Sequence, residues 1–199
     1  MKITETDAGI WLPESETPRA QGVHCSNIIR NIAVEMGILK SDQPDDTRLM
    51  DVREVTDPVA IIRMAIGLAW ESWYIKEILA GSGVEKHPGE MTLSEIHMNP
   101  DGVSAEIVEK GRHAIVVHEV KATYKSTNRD MGKEWMWLTQ LKCYCKAAKT
   151  LHGKLHVLFI CGDYKFPIRP VLKCWNITFS QKELDDNWQL MTDYRDQRG

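Results

Sequence analysis

The stretch that decides the fold reads Asn99-Pro100-Asp101-Gly102-Val103 and, after a gap, Ala114-Ile115-Val116-Val117-His118-Glu119-Val120-Lys121-Ala122-Thr123-Tyr124. The second segment is dense in β-branched residues and reads as a buried strand. The Pro-Asp-Gly ahead of it is a turn signal that sets Asp101 at the start of a neighbouring strand, 103–108. Strand side chains alternate between faces, so Glu119 and Lys121 point the same way. Two carboxylates and a lysine therefore gather around a short β-meander. Hard divalent cations such as Mg²⁺ take one or two carboxylates, keep several waters and accept phosphate oxygens. Asp101 and Glu119 are candidate ligands, and the carbonyl of Val120, between Glu119 and Lys121, is a third. Lys121 supplies a compact, flexible cation for an attacking water or a phosphate. Pro-Asp-Gly and Glu-x-Lys are each common as plain turns and exposed pairs; together, with the lysine on an otherwise apolar strand, they point to a site.

The flanks extend the pattern. Gly67-Leu68-Ala69-Trp70-Glu71 opens a helical stretch that runs on to Leu79. There Gly67 admits a second backbone, and Glu71 faces the sheet one turn later, among Ile66, Trp70 and Trp73. Downstream, Gln140-Leu141-Lys142-Cys143-Tyr144 lies in a helix expected over 133–149. Trp137, Gln140, Leu141, Tyr144 and Ala148 fall on one face of that helix; Lys142, Lys146 and Lys149 fall on another. A buried Gln needs a partner, which favours an ordering role for Gln140 beside Lys121.

Gly-x-x-x-Glu, Pro-Asp, Glu-x-Lys and Gln-x-x-x-Tyr, in that order, resemble the PD-(D/E)XK nucleases, and more narrowly the RecB-like branch with its phage-type and Cas4-type exonucleases. The resemblance covers roughly residues 65–160. It implies an α/β, restriction-endonuclease-like core with a central mixed sheet flanked by helices. It implies a Mg²⁺-dependent deoxyribonuclease, with Mn²⁺ able to substitute, acting on DNA ends in phage replication or recombination. It implies Asp101 and Glu119 as metal ligands and Lys121 as the catalytic lysine. Glu71, where many relatives carry His, becomes a further ligand or a water-positioning carboxylate. Gln140 and Tyr144 would orient the site and contact the nucleic-acid backbone, with Lys125, Lys142 and Lys146 as further DNA contacts. A structure-specific endonuclease and a non-catalytic nucleic-acid-binding module are the rival readings. A homo-oligomer or a recombination partner protein would fit either.

Working outward, residues 1–22 are polar and read as an N-terminal arm, leaving 23–199 as one nuclease domain. A helix is expected from His24-Cys25 or Ser26 to Met36, ended by Gly37, with Ile28, Ile29, Ile32 and Met36 as its apolar stripe. Residues 41–58 read as an acidic surface loop. A meander of strands follows at 91–98, 103–108 and 114–124, then Leu155 to Ile160 and Val171 to Phe179 as strands. Ser180 caps a terminal acidic helix.

No apolar run is long enough to span a membrane and no secretory leader opens the chain, so the expected setting is cytoplasmic. Five cysteines, an odd number, argue against a disulfide framework. They also lack the Cys-x-x-Cys spacing of an iron–sulfur set and read as buried thiols. The net charge of −3 conceals an asymmetry: residues 110–173 hold 13 Lys or Arg against 4 Asp or Glu. A basic block around the carboxylate–lysine set is the electrostatic signature of a nucleic-acid partner.

Overall fold

The structure is a computed structural model that describes residues 22–39, 58–86, 88–108 and 111–197. The arm expected at 1–22 and the acidic loop at 41–58 lie almost wholly outside these residues. Strand β1 (Val23–His24) leads directly into helix α1 (Cys25–Glu35), which stops at Gly37 in the left-handed region, φ 68°. Ile28, Ile29 and Ile32 are buried as the stripe requires, but Met36, beyond the last turn, is 57% exposed. Helix α2 (Pro58–Trp73) passes into a π-helical segment, Tyr74–Leu79, which buries Tyr74, Ile75 and Leu79. Gly67 meets nothing within 4 Å of where a side chain would sit, so no backbone uses the approach expected there.

Strands β2 (Glu85–Lys86), β3 (Met91–Leu93), β4 (Ile96–Met98), β5 (Gly102–Ile107) and β6 (His113–Thr123) follow. The single strand expected over 91–98 is a hairpin, because Ser94 and Glu95 both adopt positive φ, 45° and 60°, and turn the chain back. That hairpin joins β1 in a small sheet of order β1-β4-β3, separate from the main one. Helix α3 (Trp135–Ala147), β7 (His152–Phe159), β8 (Val171–Thr178) and α4 (Gln181–Asp196) complete the chain.

The main sheet has the order β2-β5-β6-β7-β8. β5 and β8 run antiparallel to their inner neighbours, whereas β6 and β7 are parallel, with α3 in the crossover between them. Parity divides the sheet into two faces. Val117, Glu119, Lys121, Leu155, Val157 and Phe159 lie on one, in register across β6 and β7. The apolar members of this set pack with α1, α3 and α4 in the larger core. On the other face, Val120 packs with Tyr74, Ile75, Leu79 and Val84 in a smaller cluster. Gly153 is required where α3 crosses β7, since a Cβ there would lie 2.8 Å from a Leu141 methyl. Among the described residues no helix is long and apolar enough to cross a membrane.

Helix α4 begins with a capping box: Ser180 Oγ accepts from the Glu183 amide at 3.2 Å, and Glu183 Oε2 accepts from the Ser180 amide at 2.8 Å. Ser180→Ala should cost about 0.5–2 kcal/mol of stability, read as a lower urea midpoint with an unchanged slope.

Candidate active site

Asp101 sits in the bend ahead of β5, where backbone pairing with β6 begins at Gly102↔His118. Beyond that pair its side chain takes over from the ladder: the Val120 amide donates to Asp101 Oδ2 at 2.6 Å. The turn thus ties one carboxylate to the middle of the strand that carries the next. Glu119 is wholly buried, 0% exposed. Its Oε1 is in ion contact with Lys121 Nζ, and its Oε2 has no hydrogen-bond partner among the described residues. An ionised carboxylate in that state is costly to bury, and a native chain keeps one only for a reason.

The electrostatics make a single unit of four groups. Burial pushes the Glu119 carboxyl up to about 8, with the charges of Asp101 and Glu71 adding to it and Lys121 opposing. Burial also lifts Glu71 to about 7, helped by the Asp101 charge and by a hydrogen bond between the two carboxyls. For Lys121 burial alone would lower the pKa, but Glu119, Asp101 and Glu71 outweigh it and hold the ammonium above the usual lysine range. Three carboxylates and one ammonium sum to −2 when all are ionised, and the raised carboxyl values are the protein's response to that excess. A hard divalent cation supplies the charge that balances it, and the donors present are the oxygens such a cation takes. The fit is one of chemistry and charge: among the described residues no three His, Cys, Asp or Glu side chains lie close enough to hold a metal ion as they stand.

Helix α3 closes the site from the sheet face that bears Glu119. Tyr144 is buried, and burial together with the charges of Glu119, Cys25 and Asp101 raises its hydroxyl well above the ordinary value. Gln140 Nε2 donates to Tyr144 Oη at 2.6 Å, one helical turn away, so Gln140 reaches the site through Tyr144. The lysines expected beside the site are dispersed. Lys125 pairs with Glu134 at 2.5 Å and lies over the Trp137 ring. Lys146 pairs with Asp185 of α4 at 2.5 Å, and Lys142 lies over Phe179, which precedes α4. Glu71 is flanked by Asp101 and Lys121, whereas Ile66 and Trp73, expected around it, are exposed. The thiols of Cys25, Cys143 and Cys145 are buried; Cys161 is half-buried and Cys174 exposed, so the buried-thiol expectation does not extend to them.

One constellation escaped the sequence. On the opposite face of β6, the Ser104 hydroxyl donates to Glu106 Oε1 at 2.9 Å. Ser104 Oγ meets His118 Nε2 at 2.8 Å, His118 Nδ1 meets His156 Nε2 at 3.0 Å, and His156 Nδ1 meets Tyr74 Oη at 3.1 Å. Burial pushes Glu106 up, but hydrogen bonds from Lys154 and Ser104 bring it below the ordinary value, so it is an ionised acceptor. The rest follows by counting protons. Ser104 has spent its only one on Glu106, so His118 Nε2–H donates to Ser104. A neutral His118 then accepts at Nδ1 from His156 Nε2–H, and His156 accepts at Nδ1 from the Tyr74 hydroxyl. Burial holds His118 down at about 4 and His156 at about 3, consistent with two neutral rings. The relay fastens the π-helical segment, one turn beyond Glu71, to the strand that carries Glu119.

No family model matches the sequence, and comparison with curated proteins finds no match. The fold is similar to that of an alkaline exonuclease (LHK-Exo) from Laribacter hongkongensis, with a TM-score of 0.51 at 14% identity over 88% of this chain and 87% of that one. LHK-Exo in complex with dAMP gives a TM-score of 0.50 at 12% identity over the same shares. At these identities the likeness establishes a mixed α/β fold of the restriction-endonuclease-like type, as the sequence led one to expect.

The relay makes a signed prediction. Both imidazoles have lower pKa values folded than the roughly 6.5 of the unfolded chain. The unfolded chain therefore takes up protons first, and their contribution to stability is lost as pH falls from about 6.5 through about 4. Glu71 and Glu119, raised in the fold, act in the opposite sense between about 4.5 and 8. The informative quantity is thus a difference: the stability lost between pH 7 and pH 5 in urea titrations should be smaller for His156→Asn than for the natural chain. At pH 7, Tyr74→Phe should cost about 1–3 kcal/mol, because His156 Nδ1 loses the Tyr74 hydroxyl.

Proposed function

We propose that this chain is a metal-dependent nuclease that hydrolyses phosphodiester bonds in DNA, an exonuclease acting on ends and belonging to the RecB-like branch of the PD-(D/E)XK nucleases, with 23–199 as its catalytic domain. The observation that carries the reading is the buried Glu119 carboxylate, unpartnered at Oε2, in one electrostatic unit with Asp101, Glu71 and Lys121. The likeness in fold to an alkaline exonuclease supports it.

Asp101 and Glu119 would hold the cation, with the Val120 carbonyl and Glu71 as further oxygen donors. Bound Mg²⁺ would supply Lewis-acid stabilisation of phosphate charge and lower the pKa of a bound water. The protein's own groups do the remainder. The hydrogen bond from the Val120 amide fixes the Asp101 carboxylate before any ligand arrives, so little reorganisation is needed at the moment of reaction. Lys121 stays protonated, which suits it to stabilise charge on the phosphate rather than to take a proton from water. Glu71, poised at about 7 and sharing a hydrogen bond with Asp101, can exchange a proton near neutral pH. Tyr144, held by Gln140 on α3, feels the Glu119 charge, and the pair would orient the site and contact the nucleic-acid backbone.

Three outcomes follow. End-labelled linear DNA should be degraded with Mg²⁺ or Mn²⁺ and left intact in EDTA, while closed circular DNA survives; cutting of the circle would turn the assignment to an endonuclease. Asp101→Ala and Lys121→Ala should each lower the cleavage rate at least about a hundredfold without loss of fold by circular dichroism. Cation binding should release protons at pH 7, because Glu71 and Glu119 must lose theirs to serve as ligands. Affinity for Mn²⁺, measured by calorimetry in buffers of different ionisation enthalpy, should therefore rise from pH 6 to pH 9, and Glu71→Gln should remove the lower part of that rise.

A further inference from the structure

The connection between β7 and β8 presents a feature that the carboxylate–lysine site does not use. Parallel β6 and β7 end together, at the pair Thr123↔Phe159, so the segments that follow them leave the sheet side by side. They are laced together. The Ile160 amide donates to the Thr123 carbonyl at 2.9 Å, the Thr127 amide to the Gly162 carbonyl at 2.9 Å, and Lys173 Nζ to the Thr127 carbonyl at 3.0 Å. The Tyr164 hydroxyl donates to the Tyr124 carbonyl. The stem of the connection is closed at Gly162, in the left-handed region at φ 53°, where a Cβ would lie 2.6 Å from the Arg169 carbonyl oxygen. A loop pinned in this way holds its tip in place, and at that tip Phe166 is 96% exposed, with Ile168 at 59%.

An aromatic ring held out in water on an anchored stem has both faces available. The segment that carries it is basic in sequence: Lys165, Arg169 and Lys173 stand against one acid, Asp163, which lies 3.7 Å from Lys165. A flat apolar face among cations matches an unstacked base on a phosphate backbone. Base–aromatic stacking tolerates any sequence, while lysine and arginine track the chain. The same lacing makes the loop continuous with the strand that ends just past Lys121. Resting on the nuclease reading above, we propose that Phe166 is a stacking platform for an unpaired nucleobase of the strand delivered to the Asp101–Glu119–Lys121 site, with Lys165 and Arg169 on the adjoining phosphates.

The test is binding of the full chain in EDTA, which prevents cleavage, to fluorescein-labelled duplexes with a single-stranded overhang and to blunt duplexes. Anisotropy gives Kd, and 2-aminopurine placed in the overhang reports stacking. Phe166→Ala should weaken overhang binding about 5- to 100-fold and abolish the 2-aminopurine quenching, with a much smaller effect on blunt duplex. Phe166→Trp should retain both. Lys165→Ala should weaken both substrates alike and flatten the salt dependence. Because the ring touches water on nearly all sides, its removal does not threaten the fold. Unchanged overhang affinity and quenching in Phe166→Ala, with DNA cleavage intact in the natural chain, would overturn the proposal and leave the nuclease reading standing. So would binding to vesicles of phosphatidylserine and phosphatidylcholine that depends on Phe166 while DNA affinity does not. A natural chain that neither binds nor cuts DNA in any form would bring down both.

Discussion

A carboxylate with no exposed surface must be neutralised by its neighbours, and the main sheet of this chain is arranged around one such group. Glu119 occupies the middle of β6, the third of five strands, with Lys121 two residues on, Asp101 reaching over from the bend before β5, and Glu71 arriving from α2. None of these groups is comfortable alone. Asp101 is buried but held by a backbone amide, burial alone would lower the Lys121 pKa and the acids more than restore it, and Glu71 and Glu119 hold their protons up to near neutral pH because burial and mutual repulsion favour the neutral form. Once those carboxyls ionise, the set carries an excess of two negative charges, which a divalent cation balances. A stability-optimised core would replace such a group with leucine; under the nuclease reading proposed above, its presence trades stability for chemistry.

The other face of β6 solves the opposite problem. There the five groups of the relay are satisfied, in a single consistent order of donors and acceptors from Tyr74 through His156, His118 and Ser104 to Glu106. A satisfied network in a low-dielectric interior is rigid, because any rotated ring or shifted proton breaks two bonds at once. His118 on the rigid face and Glu119 on the strained one are consecutive residues. The strand therefore carries unspent electrostatic energy on one side and the bracing that keeps it in place on the other, and Tyr74 extends that bracing to the helix that delivers Glu71.

What was legible in the sequence was what is local. The strand over Glu119 and Lys121, the turn at Asp101 and the helix cap at Ser180 follow from residue type and spacing within a few positions, and the fold class followed from the resemblance carried by the four ordered motifs. The hairpin at Ser94–Glu95 was hidden because neither residue is a glycine or an asparagine, the usual marks of positive φ. The Tyr74–His156 bond joins positions 82 apart in the chain, and no periodicity announces such a meeting. Lys142 and Lys146 looked like a free basic face because the groups that engage them, Phe179 just before α4 and Asp185 within it, are far away in sequence. The metal-ligand role of Asp101 and Glu119 remains a reading of chemistry, since a side chain's type can be read from a sequence and its charge state cannot.

The strict alternation along β6 has a further consequence, for how this strand can change over evolutionary time. Odd positions carry the acid–lysine set and even positions the imidazole set, with β5 and β7 in register on both sides. Loss or gain of a single residue between Gly111 and Glu119 would exchange the two sets, turning carboxylate and lysine toward Tyr74 and histidine toward α3. A change of two would preserve both. The segment is thus under a parity rule: length variants among descendants of this chain should differ there by even numbers, and an odd one should mark a copy that has abandoned both the site and its brace.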